Sequence, residues 1–288
     1  MTKVAVVTDS ASDIPAAMQQ KYGIDILPFY ITVDGKSYVE RQDFTCEEYY
    51  DMLSKCQSIP STAHITMLRF AEAFCAYDEA GYSDVLYVSI NAGGSNTYDA
   101  AHMGAQQFHE ERPDSAMRIH IVDSHTYSMT YGWHVCEAAR KLQNGAGVDD
   151  VVAYLNEQFA CMEVALSMYT LKFVKKSGRV SAAAAFAGEL LGLRPIITII
   201  DGETKTVAKV RGDASVMPAL VHHLKANMVK GTPYLVGCTD MANGRMLAKM
   251  CKAEIGAAPE EVFLLGAAVA TNTGPNAVAV VYRGQPRR

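Results

Sequence analysis

The chain lacks several features that would each point to a function class. No apolar stretch in its 288 residues reaches the roughly 20 needed to span a membrane. The opening run from Lys3 to Thr8 is too short for a signal peptide, so a cytoplasmic location without membrane insertion is expected. There is no C-x-x-C pair. The seven cysteines are odd in number and widely spaced, as expected of reduced core thiols rather than metal ligands or nucleophiles. A concentrated basic face is also missing. The net charge is −5, and the only local basic groups are Lys172, Lys175, Lys176 and Arg179 and the tail residues Arg283, Arg287 and Arg288, which argues against nucleic acid. Neither G-x-G-x-x-G nor G-x-x-x-x-G-K-[ST] occurs, which removes the dinucleotide fingerprint and the P-loop. G-x-S-x-G is absent too. Asp123-Ser124-His125 holds triad residue types, but sequence neighbours rarely face one another in triad geometry. His120 and His125 around Asp123 match no standard metal spacing, and the adjacent pair His222-His223 diverges by about 100° on a helix. No catalytic residue, metal or cofactor is expected.

What is present is the alternation of an α/β protein. The length exceeds the roughly 250 residues at which one hydrophobic core stops growing, so two domains are expected, over residues 1–160 and 161–288. In the first, strand-like runs at 3–8, 25–32, 84–90 and 118–123 are separated by helical patterns at 13–22, 46–56, 66–80, 98–111 and 128–144. Right-handed crossovers then favour an α/β/α parallel sheet of strand order 2-1-3-4. The second half interleaves helices with strands near 164–170, 195–201, 204–210, 234–239, 261–269 and 277–282. Asp201-Gly202 marks a tight hairpin there, so this domain is expected to be two-layer α/β with a mixed sheet.

Order 2-1-3-4 places a switch point between the first and third strands, and ligands of open α/β sheets bind in such crevices. The loops at that point are Asp9-Ser-Ala-Ser-Asp13 and Asn91-Ala-Gly-Gly-Ser-Asn-Thr97. Both are rich in small hydroxyl and amide side chains. Gly93 and Gly94 permit close backbone approach, and the helix starting near Thr97 directs unpaired N–H groups to the same place, which suits an anion.

These residues carry a family resemblance. Thr8-Asp-Ser-Ala-Ser-Asp-Ile-Pro15 resembles the opening signature of the DegV family of bacterial fatty-acid-binding proteins. Pro60-Ser-Thr-Ala-His-Ile-Thr66 is similar to the family's P-x-T-S-Q-P-S loop, and Gly93-Gly-Ser-Asn-Thr-Tyr98 to its S-G-L-S-G-T-Y loop. Val122-Asp-Ser124, residues 171–181, Leu193-Arg-Pro-Ile196 and Thr271-Asn-Thr-Gly-Pro275 match further family stretches in order. The resemblance implies a carrier, not an enzyme. A long-chain fatty acid would be held with its carboxylate at the domain junction and its chain buried, and a separate fatty acid kinase would be the partner. It assigns the carboxylate to Thr62 and Ser95, with backbone N–H groups around Gly94 and Asn96, and places Asp9, Ser10, His64, Arg179, Arg211, Asn272 and Thr273 near the head group. Residues 181–193, rich in alanine, are expected either to wall the acyl tunnel or to form a closely packed core helix.

Two departures stand out. Ala63, His64 and Ile65 replace the family's Ser, Gln and Pro, and Asn272 stands where the family has a histidine. Asn carries no proton at neutral pH, so phosphotransfer partnership is expected to be altered or lost. The alternative reading is an enzyme on the related dihydroxyacetone-kinase fold, acting on a small hydroxylated substrate with His64 or Asp9.

Overall fold

The computed structural model describes residues 3–174, 178–179 and 192–287. Strands β1 (Val4–Asp9) and β6 (Asp84–Ser89) are almost wholly buried, as continuous apolar strands are when helices cover both sheet faces. They form a parallel sheet with β2 (Asp25–Leu27) and β7 (Arg118–Asp123) in the order β2-β1-β6-β7. This is the expected 2-1-3-4 arrangement, β6 and β7 being its third and fourth members. Helices α1 (Ala16–Tyr22), α3 (Met67–Glu79), α4 (Thr97–Glu111), α5 (Met129–Gln143) and α6 (Val148–Phe159) follow in turn. Thr66 caps α3 by accepting the Arg69 N–H. α2 (Cys46–Lys55) begins with a capping box in which the Thr45 and Glu48 side chains accept each other's backbone N–H.

The expected strand at 25–32 is two strands. Pro28 has no N–H to give a ladder, and the Phe29 N–H turns to the Ser10 hydroxyl at 2.9 Å. The chain therefore leaves the parallel sheet after Leu27 and enters β3 (Tyr30–Val33). β3 is the centre of a separate antiparallel sheet, β4-β3-β5, with β4 (Lys36–Val39) and β5 (Ser61–Ala63). Asp34-Gly35, both at positive φ, make the two-residue turn between β3 and β4. β5 occupies the end of what the sequence presents as a polar turn.

The second sheet runs β10-β9-β8-β13-β11-β12, antiparallel except for the β11–β12 pair. Its strands are β8 (Met162–Met168), β9 (Leu193–Ile200), β10 (Glu203–Arg211), β11 (Tyr234–Cys238), β12 (Glu261–Leu264) and β13 (Ala277–Arg283). Asp201 and Gly202, at positive φ, close the β9–β10 hairpin as expected. Helices α7 (Val216–Asn227) and α8 (Met241–Ile255) cover one face, over Ala165, Ile196, Val278, Val280 and Tyr282. The other face joins the core of the first half through Val164, Leu166, Ile199, Ala279 and Val281.

The expected strand at 261–269 ends at Leu264, and α9 (Ala267–Thr273) follows. A distant acid decides this: the Glu40 carboxylate accepts the Ala268 N–H at 2.8 Å and so satisfies a donor at the new helix start.

Candidate functional site

The seam between the second sheet and the first half of the chain holds a cavity of about 730 Å³, within the roughly 300–1,000 Å³ of small-molecule sites. Its lining is mixed, with polar and apolar side chains contributing in similar measure. Its polar lining includes Thr62 from β5, His64 just after it, Gly94, Ser95 and Asn96 from the loop before α4, Asn272 and Thr273 from α9, and Ser128, Thr130, Arg179, Glu203 and Thr204. Phe29, Ile90, Val164, Leu166, Ile199 and Phe263, among others, form the apolar part. Loops that the sequence places far apart therefore converge, because β5 joins the small antiparallel sheet beside the parallel one.

The loop before α4 is held in place by its own side chains. Asn91 O accepts the Gly94 N–H at 3.0 Å, and Asn91 Oδ1 accepts the Gly93 N–H at 3.2 Å. The Ser95 and Thr97 hydroxyls lie 2.8 Å apart, and Ser95 Oγ also accepts the Thr97 N–H. Tyr127 sits under Gly94, where any Cβ would collide with the phenol oxygen. Asn91 Nδ2 donates to that oxygen at 2.8 Å. Glycine at 94 is thus required by close approach rather than by backbone conformation. Arg179 reaches the same loop, its Nε donating to Gly94 O at 3.4 Å.

Asp9, Ser10 and Arg211 do not border the cavity. Asp9 is fully buried and accepts four hydrogen bonds, from Tyr131 Oη (2.6 Å), Tyr87 Oη (3.0 Å), Ile90 N (2.9 Å) and Ala11 N (3.2 Å). Burial pushes its carboxyl up to about 6, against the opposing pull of those donors. Its place is behind the wall, where it fixes the end of β6 and hence Ile90. The Ser10 hydroxyl bridges Glu40 and Phe29 N. Arg211 ends β10 on the exposed side. Asn272 Nδ2 donates to Ala268 O at 2.8 Å, within its own helix.

Two buried acids that the sequence did not mark as a pair frame this region. Asp13, at positive φ, accepts the Ser128 hydroxyl, and Glu40 accepts Ser10 and Ala268. Burial raises both carboxyls, and the Glu40 charge raises that of Asp13 further. Nothing in the local sequence of Glu40 signals burial, although the Asp34-Gly35 turn just before it was a readable hairpin mark. The triad residue types remain apart in role: Ser124 Oγ donates to Thr126 O, while His125 Nδ1 lies 3.1 Å from Asp123. Of residues 181–193, expected beside the tunnel, 181–191 lie outside the described residues.

The fold and the site define a class: a three-sheet α/β protein with a cavity of mixed polar and apolar lining in the seam between its six-stranded sheet and the rest of the chain. The chain belongs to the DegV family, whose model matches residues 3–285. It is 30% identical over 282 residues to a DegV domain-containing protein of Clostridium perfringens, covering 97% of this chain and 98% of that one. Among solved structures, it is similar to a DegV family protein from Thermus thermophilus described for its fatty acid binding, at 26% identity and a TM-score of 0.85, covering 99% of this chain and all of that one. A fatty acid binding DegV family protein from Streptococcus agalactiae matches at 25% identity and a TM-score of 0.84, with the same coverage. No helix among the described residues is long and apolar enough to cross a membrane.

Proposed function

We propose that this protein binds a long-chain fatty acid, with the carboxylate at Thr62 and the Gly94–Asn96 loop and the acyl chain along the apolar side chains of the cavity. The observation that carries this is that Thr62 and the Gly94–Asn96 loop line the same cavity as a set of buried aliphatic and aromatic side chains, among them Phe29, Ile90, Val164, Leu166, Ile199 and Phe263. The Thr62 and Ser95 hydroxyls donate to the carboxylate. Because the Gly94 N–H already serves Asn91, the N–H groups of Ser95 and Asn96 and the positive end of α4 complete the anion site.

Energetics favour the tail as the source of affinity. Burying some 15 methylenes offers about 12 kcal/mol before ordering costs, whereas each hydrogen bond to a charged head adds about 1.5–3 kcal/mol. The related proteins of Thermus thermophilus and Streptococcus agalactiae, described as fatty acid binding, support the same reading. We place the protein in the cytoplasm as a carrier rather than an enzyme, presenting the acid to a separate kinase, with Asn272 altering that partnership. We also place the boundary between two folding units near residue 160, after α6 and before β8, where the parallel sheet and its helices are complete.

Organic extraction of the purified protein followed by mass spectrometry tests the reading. A stoichiometric fatty acid is expected; a protein that is empty and takes up no added acid would overturn it. Thr62→Ala combined with Ser95→Ala should weaken acyl binding roughly 100-fold, from two lost hydrogen bonds to a charge. Unchanged affinity would remove the carboxylate assignment while leaving the cavity.

A further inference from the structure

Along β13 the side chains of Ala279, Val281 and Arg283 share one sheet face, as do Leu166, Val164 and Met162 along β8, because strand side chains alternate. The two rows are in register: Ala279 pairs with Leu166, Val281 with Val164, and Arg283 with Met162. Ala279 and Leu166 border the cavity described above, whereas Arg283 and Met162 border a second cavity of about 700 Å³. Val281 borders both. The opposite wall makes the same passage along α5, with Thr130 on the first cavity and Trp133 and His134 on the second. The two spaces are successive stretches of one seam between α5 and the sheet. Val281, only 1% exposed, stands where they meet.

Resting on the fatty acid reading, we propose that Val281 closes the far end of the acyl cavity and so sets the longest chain the protein accepts. The second cavity is the space that a longer chain enters when this side chain is cut back. A methyl end passing position 281 would first meet Leu235, the cross-strand partner of Val281, together with Trp133 and Met162. Farther in it would meet Arg283, whose guanidinium donates to Gln158. The gain is therefore confined to a few methylenes, each worth about fourfold in affinity.

The experiment is titration of the full chain with straight-chain saturated acids of increasing length. In the wild type, affinity should climb about fourfold per methylene to a limit and then stop. Val281→Ala should move that limit by two carbons or more toward longer acids, and Val281→Phe should move it toward shorter ones. The phenylalanine variant carries the test in the opposite direction should the alanine variant unfold. Adding Leu235→Phe to Val281→Ala narrows the passage beside position 281 and should return the limit toward its wild-type place. Trp133 is the only tryptophan in the sequence, so it reports entry directly. An acid brominated at its terminal carbon, at the new length limit, should quench Trp133 in Val281→Ala and leave it bright in the wild type. A limit unmoved in both Val281 variants would overturn the gate while fatty acid binding stands. Failure of the wild type to bind any acid would overturn the gate and the functional reading together.

Discussion

The six-stranded sheet presents two faces built from the same kinds of residue on the same strands. On β13, Val278, Val280 and Tyr282 point to α7 and α8, and Ala277, Ala279 and Val281 point the other way. The first set lies in a closed core in which every neighbour is another side chain. The second walls a cavity, and the elements across from it are held by buried polar groups: Asp9 behind Ile90, and Glu40 at the start of α9. Strand chemistry is common to both faces, so the difference is made by what is laid against them. A face covered by two amphipathic helices closes mainly by apolar packing, with the Tyr282 hydroxyl donating to Glu163 and lying 2.9 Å from His223. A face covered by α5, loops and the short helix α9 stays partly open, and carboxyl groups hold the backbone opposite.

If that contrast is right, the cavity side should feel pH through Asp9. The Asp9 carboxyl is raised from its ordinary 3.8 to about 6, first by burial. Its folded pKa lies above its unfolded one, so its stabilising contribution is full below about pH 3.8 and is lost as the pH rises through about 6. Asp9→Asn removes this dependence. The stability of the wild type relative to the variant should therefore fall by an amount of order 3 kcal/mol across that window, measured by urea unfolding at a series of pH values. Asp13 and Glu40, shifted in the same direction, are present in both proteins and cancel. A difference that stays flat with pH would break the contrast.

A matched pair of truncations sharpens it. Val280→Ala, on the closed face, should cost about 2–3 kcal/mol because the surrounding side chains cannot fill the gap. Val164→Ala, on the open face, should cost about 1 kcal/mol, since that side chain already borders empty space. Denaturant midpoints measure both, and equal costs would mean that the two faces are packed alike. The smallest effect is expected at the edge of the cavity. Tyr49 Oη on α2 lies 2.5 Å from Thr271 Oγ1 on α9, and Tyr49→Phe should lose about 1 kcal/mol by the same measurement. No loss would show that the Tyr49 hydroxyl is not needed to hold α9.

Much of this architecture is legible in the residues. The runs that form β1 and β6 are mostly apolar or β-branched, β7 alternates Ile119 and Ile121 with polar residues, and right-handed crossovers leave them essentially one order. The loop from Asn91 to Thr97 was readable as a ligand loop because its glycines and hydroxyls have little use in a strand or a helix. Thr62 was reachable only through family resemblance, since Ser61–Ala63 has the composition of a turn and becomes a strand by pairing with β3. α9 is not legible locally because its apolar residues suit a strand equally well, and the acid that accepts at the helix start is at position 40. Tyr127 carries no local mark of its place beneath Gly94.

The sequence by itself determined the strand order of the parallel sheet, the hairpin at Asp201-Gly202 and the alternation that divides β13 between two faces, because each follows from periodicity or turn chemistry within a few residues. Only the tertiary structure decided which face became core and which became cavity. It also decided that Asp9, Asp13 and Glu40 would be buried carboxylates and that Val281 would stand between two spaces. Those outcomes depend on which distant elements meet, and the free energy of burial or of a hydrogen bond exists only once they do.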